Sequence, residues 1–173
     1  MKKIGKPVGE TFPVYFQRYI DQVPEDGNLV KNLKDIHAET QALIKGLSEE
    51  KLLYRYAEGK WSIKEVLVHM SDTERIFTYR GLRFARADST PLHGFEENDY
   101  APQSNADKRK ISSILKEMAT VRAASLSFID SLDNKMLKRV GTASNNKMSV
   151  KAAVNILYGH HKHHLNILKE RYL

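Results

Sequence analysis

Four long stretches of the chain repeat apolar residues every three to four positions, which is the period of an amphipathic helix. They span residues 29–47, 62–84, 105–132 and 149–172. Each stretch has one apolar stripe and a polar remainder. The pattern therefore predicts an all-α protein built as a four-helix bundle, in which the four stripes face a shared core.

Local signals mark where these helices begin. Ser62 is followed by Glu65 at the spacing of a capping box, and Ser149 stands just before the fourth stretch. Ser104 and Asn105 precede the third stretch, so we expect its N-cap there. The second, third and fourth predicted helices are therefore expected to begin at these capping residues.

The segments outside the four helices also carry information. The connection between helices two and three, residues 88–104, is too long for a tight hairpin and is expected to be a crossover or a functional loop. An apolar N-terminal arm, residues 7–24, is expected to pack on the bundle as a short helix or irregular segment. Since there is no repeat and no linker rich in Pro, Gly and Ser, residues 1–173 are predicted to form a single domain.

Composition excludes several classes of protein. The chain has 41% hydrophobic and 28% charged residues, which is typical of a globular protein. It has no cysteine, so disulfides, thiolate metal sites and cysteine nucleophiles are excluded. No apolar run approaches the roughly 18–20 residues of a membrane span, and none follows the basic residues at the start. We therefore expect a soluble, cytoplasmic protein with no membrane partner.

The net charge of +7 is unevenly distributed. Residues 134–173 hold eight of the 28 Lys and Arg residues but only Glu170 of the 21 acidic residues. A local positive field of this kind attracts nucleic acids or small anions, although a solvated basic face has the same composition. Helix-turn-helix and zinc-finger patterns are missing, which makes nucleic acid the less favoured partner.

The histidines are the strongest candidates for chemistry. Four of the seven lie inside the fourth predicted helix. At about 100° per residue, His160, His161 and His164 point toward the apolar stripe, and His163 is predicted to face solvent. The i, i+4 spacing of His160 and His164 stacks two imidazoles on one helix face, where they can hold a single metal ion.

A third ligand has to come from a neighbouring helix or loop. The candidates are His69 in the second helix, His37 in the first helix and His93 in the long connection. His69 is favoured because it lies near the start of a strong helical pattern. His161 in place of His160 remains an alternative. Two inward imidazoles without a partner would be costly to bury, which favours a metal over polar core histidines.

Two segments of the chain resemble the motifs of the DinB/YfiT-like superfamily. Residues 61–74 are similar to its Trp-Ser helix start followed by a histidine, and residues 159–164 to its Gly-His-x-x-His-His run. Residues 92–100 also resemble the family's loop between helices two and three. The resemblance covers nearly the whole chain. It implies a divalent metal, zinc or nickel, held by His69, His160 and His164. It also implies a homodimer and an enzyme that uses a low-molecular-weight thiol.

Three neutral imidazoles leave positions on an ion open, which is typical of a catalytic site. Such an ion either activates water for hydrolysis or holds a thiol as the thiolate, and this chain has no thiol of its own. The leading hypothesis is therefore a metal-dependent S-transferase or hydrolase acting on a small molecule. The alternatives are a non-catalytic metal-binding protein and, less favoured, a nucleic-acid-binding stress protein.

Other polar and aromatic residues have weaker signals. Arg80 is predicted on the inner side of the second helix as a substrate anchor, because a buried-edge arginine needs an anionic partner. Asp72 is predicted as a surface carboxylate, and the acidic residues of the long connection as solvated. Trp61 is expected to plug the start of the second helix.

Overall fold

The computed structural model describes residues 3–8 and 11–173, and helices dominate that part of the chain. The α-helices are α1 (Gln17–Ile20), α2 (Leu29–Ile44), α3 (Glu49–Leu53), α4 (Ile63–Ala85), α5 (Glu97–Gln103), α6 (Ile111–Ser131), α7 (Asn134–Leu137) and α8 (Val150–Ile167). The 3-10 turns are Val14–Phe16 and Ala106–Lys108, and a π-helical turn, Leu168–Tyr172, follows α8. Among the described residues, no helix combines the length and the apolar character that a membrane crossing requires.

The four long helices form the predicted bundle. Helix α4 packs against α6 and α8, and α2 packs against the same two helices. Although α2 and α4 are consecutive long helices, they therefore lie across the bundle from each other. Helix α8, the last in the chain, is the neighbour of both. This arrangement places the histidine-rich face of α8 beside the first half of α4, and it confirms the predicted fold class.

Capping explains where two of these helices begin. The Ser62 side chain accepts a hydrogen bond from the Glu65 amide at 3.1 Å, and the Glu65 carboxylate accepts one from the Ser62 amide at 2.8 Å, which completes the predicted capping box. The Ser149 hydroxyl accepts a bond from the Ala152 amide at 3.0 Å and caps α8. These contacts satisfy amide groups that have no partner within the helix.

The start of α6 differs from the sequence prediction. The N-cap of α6 is Lys110 rather than Ser104 or Asn105. Asn105 has a left-handed backbone, with φ of 52°, and instead precedes the short 3-10 turn Ala106–Lys108. Asn tolerates this conformation better than most residues. Asn105 therefore caps the short turn, and the long helix starts only after that turn.

A short β-hairpin lies between α7 and α8 and was not predicted. Strand β1 (Val140–Ala143) pairs antiparallel with β2 (Asn146–Ser149). Their two-residue turn, Ser144–Asn145, has φ angles of 49° and 61°. Leu92 of the long connection bonds to the edge of β1, where its amide donates to the Thr142 carbonyl at 2.9 Å. The hairpin therefore anchors the connection between α5 and the end of α4.

The N-terminal arm packs on the bundle as expected. The turn Val14–Phe16 leads into α1, and α1 lies against α8. Residues 9 and 10 of the predicted arm lie outside the described residues. Tyr19 and Ile20 are buried in this contact. The arm thus forms one wall over the histidine-rich part of α8.

Candidate metal centre

Three histidine side chains from α4 and α8 converge on one point. His69 Nε2 lies 3.0 Å from His160 Nε2, and His164 Nε2 lies 3.1 Å from the same atom. One ring nitrogen from each residue lies within 4.8 Å of the other two, so the three side chains could hold a single ion. The exposed fractions are only 9%, 7% and 9% for His69, His160 and His164. The structure thus brings together the three residues singled out from the sequence.

These nitrogens cannot all satisfy one another by hydrogen bonding. The Nε2 atom of a neutral imidazole either donates one proton or accepts with one lone pair. His160 Nε2 therefore makes at most one good bond to its two close neighbours. Two nitrogens held by one zinc ion at about 2.0–2.1 Å lie about 3.3 Å apart in a tetrahedral site. The two distances from His160 Nε2, 3.0 Å to His69 and 3.1 Å to His164, are close to that value, so this donor set fits a metal ion.

Burial keeps these imidazoles neutral near pH 7. Desolvation lowers the pKa of His69 to about 4, with a smaller contribution from the charge of His163. Desolvation also lowers the pKa of His160 and of His164 well below the usual value, and neighbouring histidines add to the effect. A neutral imidazole has a free lone pair, which is the form that binds a metal.

His161 also lies on the inner side of α8, but it faces α2 and α6 and has its own partners. The Arg122 guanidinium lies 2.9 Å from His161 Nδ1, and Thr40 Oγ1 lies 2.8 Å from Nε2. Since arginine only donates, Nδ1 must accept and Nε2 must carry the proton that it donates to Thr40. The Thr40 hydroxyl in turn donates to the Ile36 carbonyl at 3.0 Å. Both ring nitrogens of His161 are satisfied, and the structure places it outside the cluster.

The remaining histidine candidates also lie apart from the three. His37 contacts His161, with ring centroids 6.5 Å apart, and His93 is exposed in the long connection. His163 was predicted to face solvent, and this was wrong: it is half-buried and lines the cavity beside the cluster. The arm causes this burial, because the Tyr19 ring covers His163 at a centroid distance of 5.4 Å.

A cavity of about 450 Å³ opens in front of the three histidines. Its volume is in the range of small-molecule sites, about 300–1,000 Å³. The Trp61 ring lies 4.7 Å from the His69 ring, so this residue does more than plug the helix start. Phe95 and Glu97 bring the long connection to the cavity. The aromatic lining comes from the arm, the residue before the α4 N-cap, α4 itself and the connection: Tyr15, Phe16, Tyr19, Trp61, Phe77 and Phe95.

Arg80 also lines this cavity, on the inner side of α4 as predicted. It is only 4% exposed, and its Nη2 donates to Ser144 Oγ at 3.0 Å. Asp72 faces away from the cavity and pairs with Arg75 at 3.1 Å. Of these two charged residues of α4, only Arg80 therefore belongs to the site.

Sequence reasoning missed the buried polar network behind the cluster. Arg122 of α6 pairs with Glu74 of α4 at 2.8 Å and donates to the Leu33 carbonyl of α2 at 2.8 Å. With its contact to His161 of α8, this one side chain joins all four long helices. A signal was available, because Arg122 follows Met118 by four residues and so lies on the apolar face of α6.

Comparisons with known proteins agree with this architecture. The "Putative metal-dependent hydrolase OB0413" of Oceanobacillus iheyensis is 28% identical over 159 residues, which cover 86% of this chain and 89% of that protein. The "Uncharacterized protein YuaE" of Bacillus subtilis is 29% identical over 147 residues, 76% of this chain and 90% of that one.

A solved structure shares the fold. YfiT from Bacillus subtilis, described as "a probable metal-dependent hydrolase with an unusual four-helix bundle topology", matches with a TM-score of 0.77. The match covers 96% of this chain and 94% of YfiT at 15% identity. The sequence model of the DinB superfamily matches residues 32–168, from the first turn of α2 to the end of α8. Since this match covers all four helices of the bundle, the protein belongs to the DinB superfamily.

Proposed function

We propose that this protein is a metal-dependent enzyme whose divalent ion is held by His69, His160 and His164. The observation that supports the proposal is that three imidazoles, which burial keeps neutral, each place one ring nitrogen within 4.8 Å of the other two beside an open cavity. Imidazole ligands suit zinc and nickel, which are the metals we propose. Three protein ligands leave a position free for a small-molecule substrate, as in catalytic sites.

Hydrolysis is the reaction that we propose first. The relative with the name "Putative metal-dependent hydrolase OB0413" matches this chain over most of both lengths. Bound at the three histidines, a divalent ion supplies a Lewis acid that activates either water or a thiol. The chain's own part is to orient and enclose the substrate. The aromatic walls of the cavity contact the substrate and exclude bulk water from it.

Transfer from a low-molecular-weight thiol is the second candidate reaction. The chain has no cysteine, so a thiol has to enter as a small molecule. A cavity of about 450 Å³ has room for such a cosubstrate.

A homodimer remains a prediction from the family resemblance. Light scattering tests this prediction, because a dimer has twice the chain mass of 19.8 kDa.

Elemental analysis of tag-free protein tests the metal proposal. We expect about one equivalent of metal in the wild type, and loss of that metal in His69→Ala and in His164→Ala. His163→Ala is the matched control, because it removes an imidazole of the same helix that lies beside His164, with ring centroids 5.1 Å apart, but is not one of the three proposed ligands. A folded wild type that takes up none of zinc, nickel, manganese and copper would contradict the proposal.

A cobalt-substituted protein separates an enzyme from a non-catalytic metal protein. If the ion has an exchangeable position, azide changes the visible absorption of cobalt, because the ligand enters that position. A spectrum that azide leaves unchanged would support the non-catalytic alternative. Hydrolysis and thiol-transfer screens on the loaded wild type, with His164→Ala as the blank, then decide between the two reactions.

A further inference from the structure

Arg80 is a buried cation with no acidic partner among the residues that the structure describes. Its guanidinium contacts two neutral acceptors through Nη2, the Ser144 hydroxyl at 3.0 Å and the His93 carbonyl at 3.4 Å. No carboxylate of the described residues pairs with it, and burial alone lowers its pKa. By contrast, the equally buried Arg122 has the Glu74 carboxylate at 2.8 Å. Buried charges in proteins are normally paired, so Arg80 lacks the partner that its position calls for.

Two aromatic rings hold the Arg80 side chain in place. Its guanidinium carbon lies 5.1 Å from the Phe77 ring centroid and 5.8 Å from the Phe95 ring centroid. Such contacts orient the planar group without neutralising its charge. Both hydrogen bonds of Arg80 to the described part of the chain use Nη2, so within that part the donors on Nε and Nη1 remain for a ligand. An arginine fixed in this way is suited to a carboxylate or a phosphate.

The charge of the whole cavity favours an anion. Arg80 and Arg18 both line it, while Glu97 is the single carboxylate among its lining residues. Arg18 is exposed and stacks on the Tyr19 ring at 4.7 Å, so it contributes positive charge where the cavity meets solvent. The three histidines are neutral without metal, and a bound divalent ion would add further positive charge.

We propose that Arg80 forms an anion-binding subsite, and that the substrate of this protein carries a carboxylate or phosphate group that binds there. Arg80 shares one cavity with His69, His160 and His164, so a single small molecule can contact both. The subsite itself stands on the geometry of Arg80. Its assignment to the substrate rests on the proposed function.

Calorimetric titration with three small probes tests the subsite. Succinate and inorganic phosphate represent the two kinds of anion, and succinamide is the neutral counterpart of succinate. Titrations are run at pH 8 and low salt, on metal-stripped and on metal-loaded protein, so that anion binding by an ion is separated from binding by Arg80. We expect succinate or phosphate to bind the stripped wild type, and the tighter of the two identifies the anion. Succinamide is expected to bind at least about tenfold more weakly than succinate.

Variants on α4 assign the binding to Arg80. Arg80→Met is expected to weaken anion binding at least about tenfold, and Arg80→Lys to restore part of it. Arg75→Met is the matched control, because it removes the same charge from the same helix at a position outside the cavity, where Arg75 pairs with Asp72 and Glu117. Circular dichroism checks that each variant is folded, and its metal content is measured in parallel.

Several results would overturn the proposal: no anion binding to the stripped wild type, equal binding of succinate and succinamide, or equal losses in Arg80→Met and Arg75→Met. If Arg80→Met does not fold, the succinate and succinamide comparison on the wild type still decides. Loss of anion binding with unchanged metal content supports the subsite and leaves the metal proposal intact. Conversely, a wild type that binds anions but no metal would retain the subsite and refute the proposed function.

Discussion

The main-chain carbonyl of Tyr19 lies against Gly159, in the space that any other residue would fill with its Cβ. A Cβ placed on Gly159 would lie only 2.0 Å from the Tyr19 oxygen. The N-terminal arm and α8 therefore touch backbone to backbone, one residue before His160. This close approach sets the Tyr19 ring over the cluster, with its centroid 5.4 Å from that of His160.

Replacing this glycine should displace the arm. We expect Gly159→Ala to lower the free energy of unfolding by about 1–3 kcal/mol, because backbone has to move to admit the methyl group. Gly81→Ala is the control: its Cβ would lie 3.3 Å from the Phe128 ring, which can shift, and alanine favours the helix by about 0.8–1.0 kcal/mol. Urea unfolding of both variants measures the difference. If Gly159→Ala and Gly81→Ala had equal free energies of unfolding, the close contact between Gly159 and the Tyr19 carbonyl would be contradicted.

The Arg122–Glu74 ion pair should be costly to break from one side. Both residues are buried, with exposed fractions of 3% and 8%. We expect Arg122→Met to destabilise the protein by about 3–5 kcal/mol, because it leaves the Glu74 carboxylate buried without its cation.

The double variant Arg122→Met with Glu74→Met separates charge from packing. Since it removes both charges, we expect it to be more stable than Arg122→Met alone. Chemical denaturation of the single and double variants forms a double-mutant cycle. A double variant that is less stable than the single one would show that the pair does not account for the loss.

Neighbouring histidines of α8 should have separable roles. We expect His161→Ala to lose about 1.5–3 kcal/mol of stability, because its hydrogen bond to the charged Arg122 is broken, and to keep its metal. His164→Ala, by contrast, should lose the metal. Thermal unfolding and elemental analysis of the two variants side by side provide the comparison. Loss of metal from a folded His161→Ala would place that residue among the ligands.

The capping box of α4 should contribute measurably to stability. Ser62→Ala is expected to cost at least about 1 kcal/mol, because the Glu65 amide loses its acceptor and the Asp107 carboxylate loses the bond that the Ser62 hydroxyl donates. The loss should exceed that of Ser112→Ala, an exposed serine in the first turn of α6. Thermal unfolding at fixed pH gives both values. If the two variants were equally stable, the cap would contribute nothing to the fold.

The bundle was predictable because its helices are long. The four span 16 to 23 residues, enough turns for an apolar stripe to stand out from chance. The strands of the hairpin have four residues each, which is too few for an alternating pattern to be recognised. The turn residue Asn145 was the available signal, since Asn is frequent in two-residue hairpin turns.

For the candidate site, the angular positions of residues around a helix predicted only part of the arrangement. They place His160, His161 and His164 on the inner side of α8, but they do not show which neighbouring helix each one faces. That depends on α8 lying between α2 and α4, a long-range arrangement. His161 consequently faces Thr40 of α2, while His160 and His164 face His69 of α4. The same limit applies to His163, which the Tyr19 ring of the distant arm covers.

The two ends of the cavity come from different kinds of structure. Rigid helices of the bundle supply the histidines, whereas the contacts of Arg80, apart from Phe77 of α4, come from the hairpin turn at Ser144 and from the long connection at His93 and Phe95. Loops tolerate sequence change more readily than packed helices do. Sequence changes in the hairpin and the connection, natural or engineered, can therefore alter which ligand binds near Arg80 while the histidine cluster stays the same.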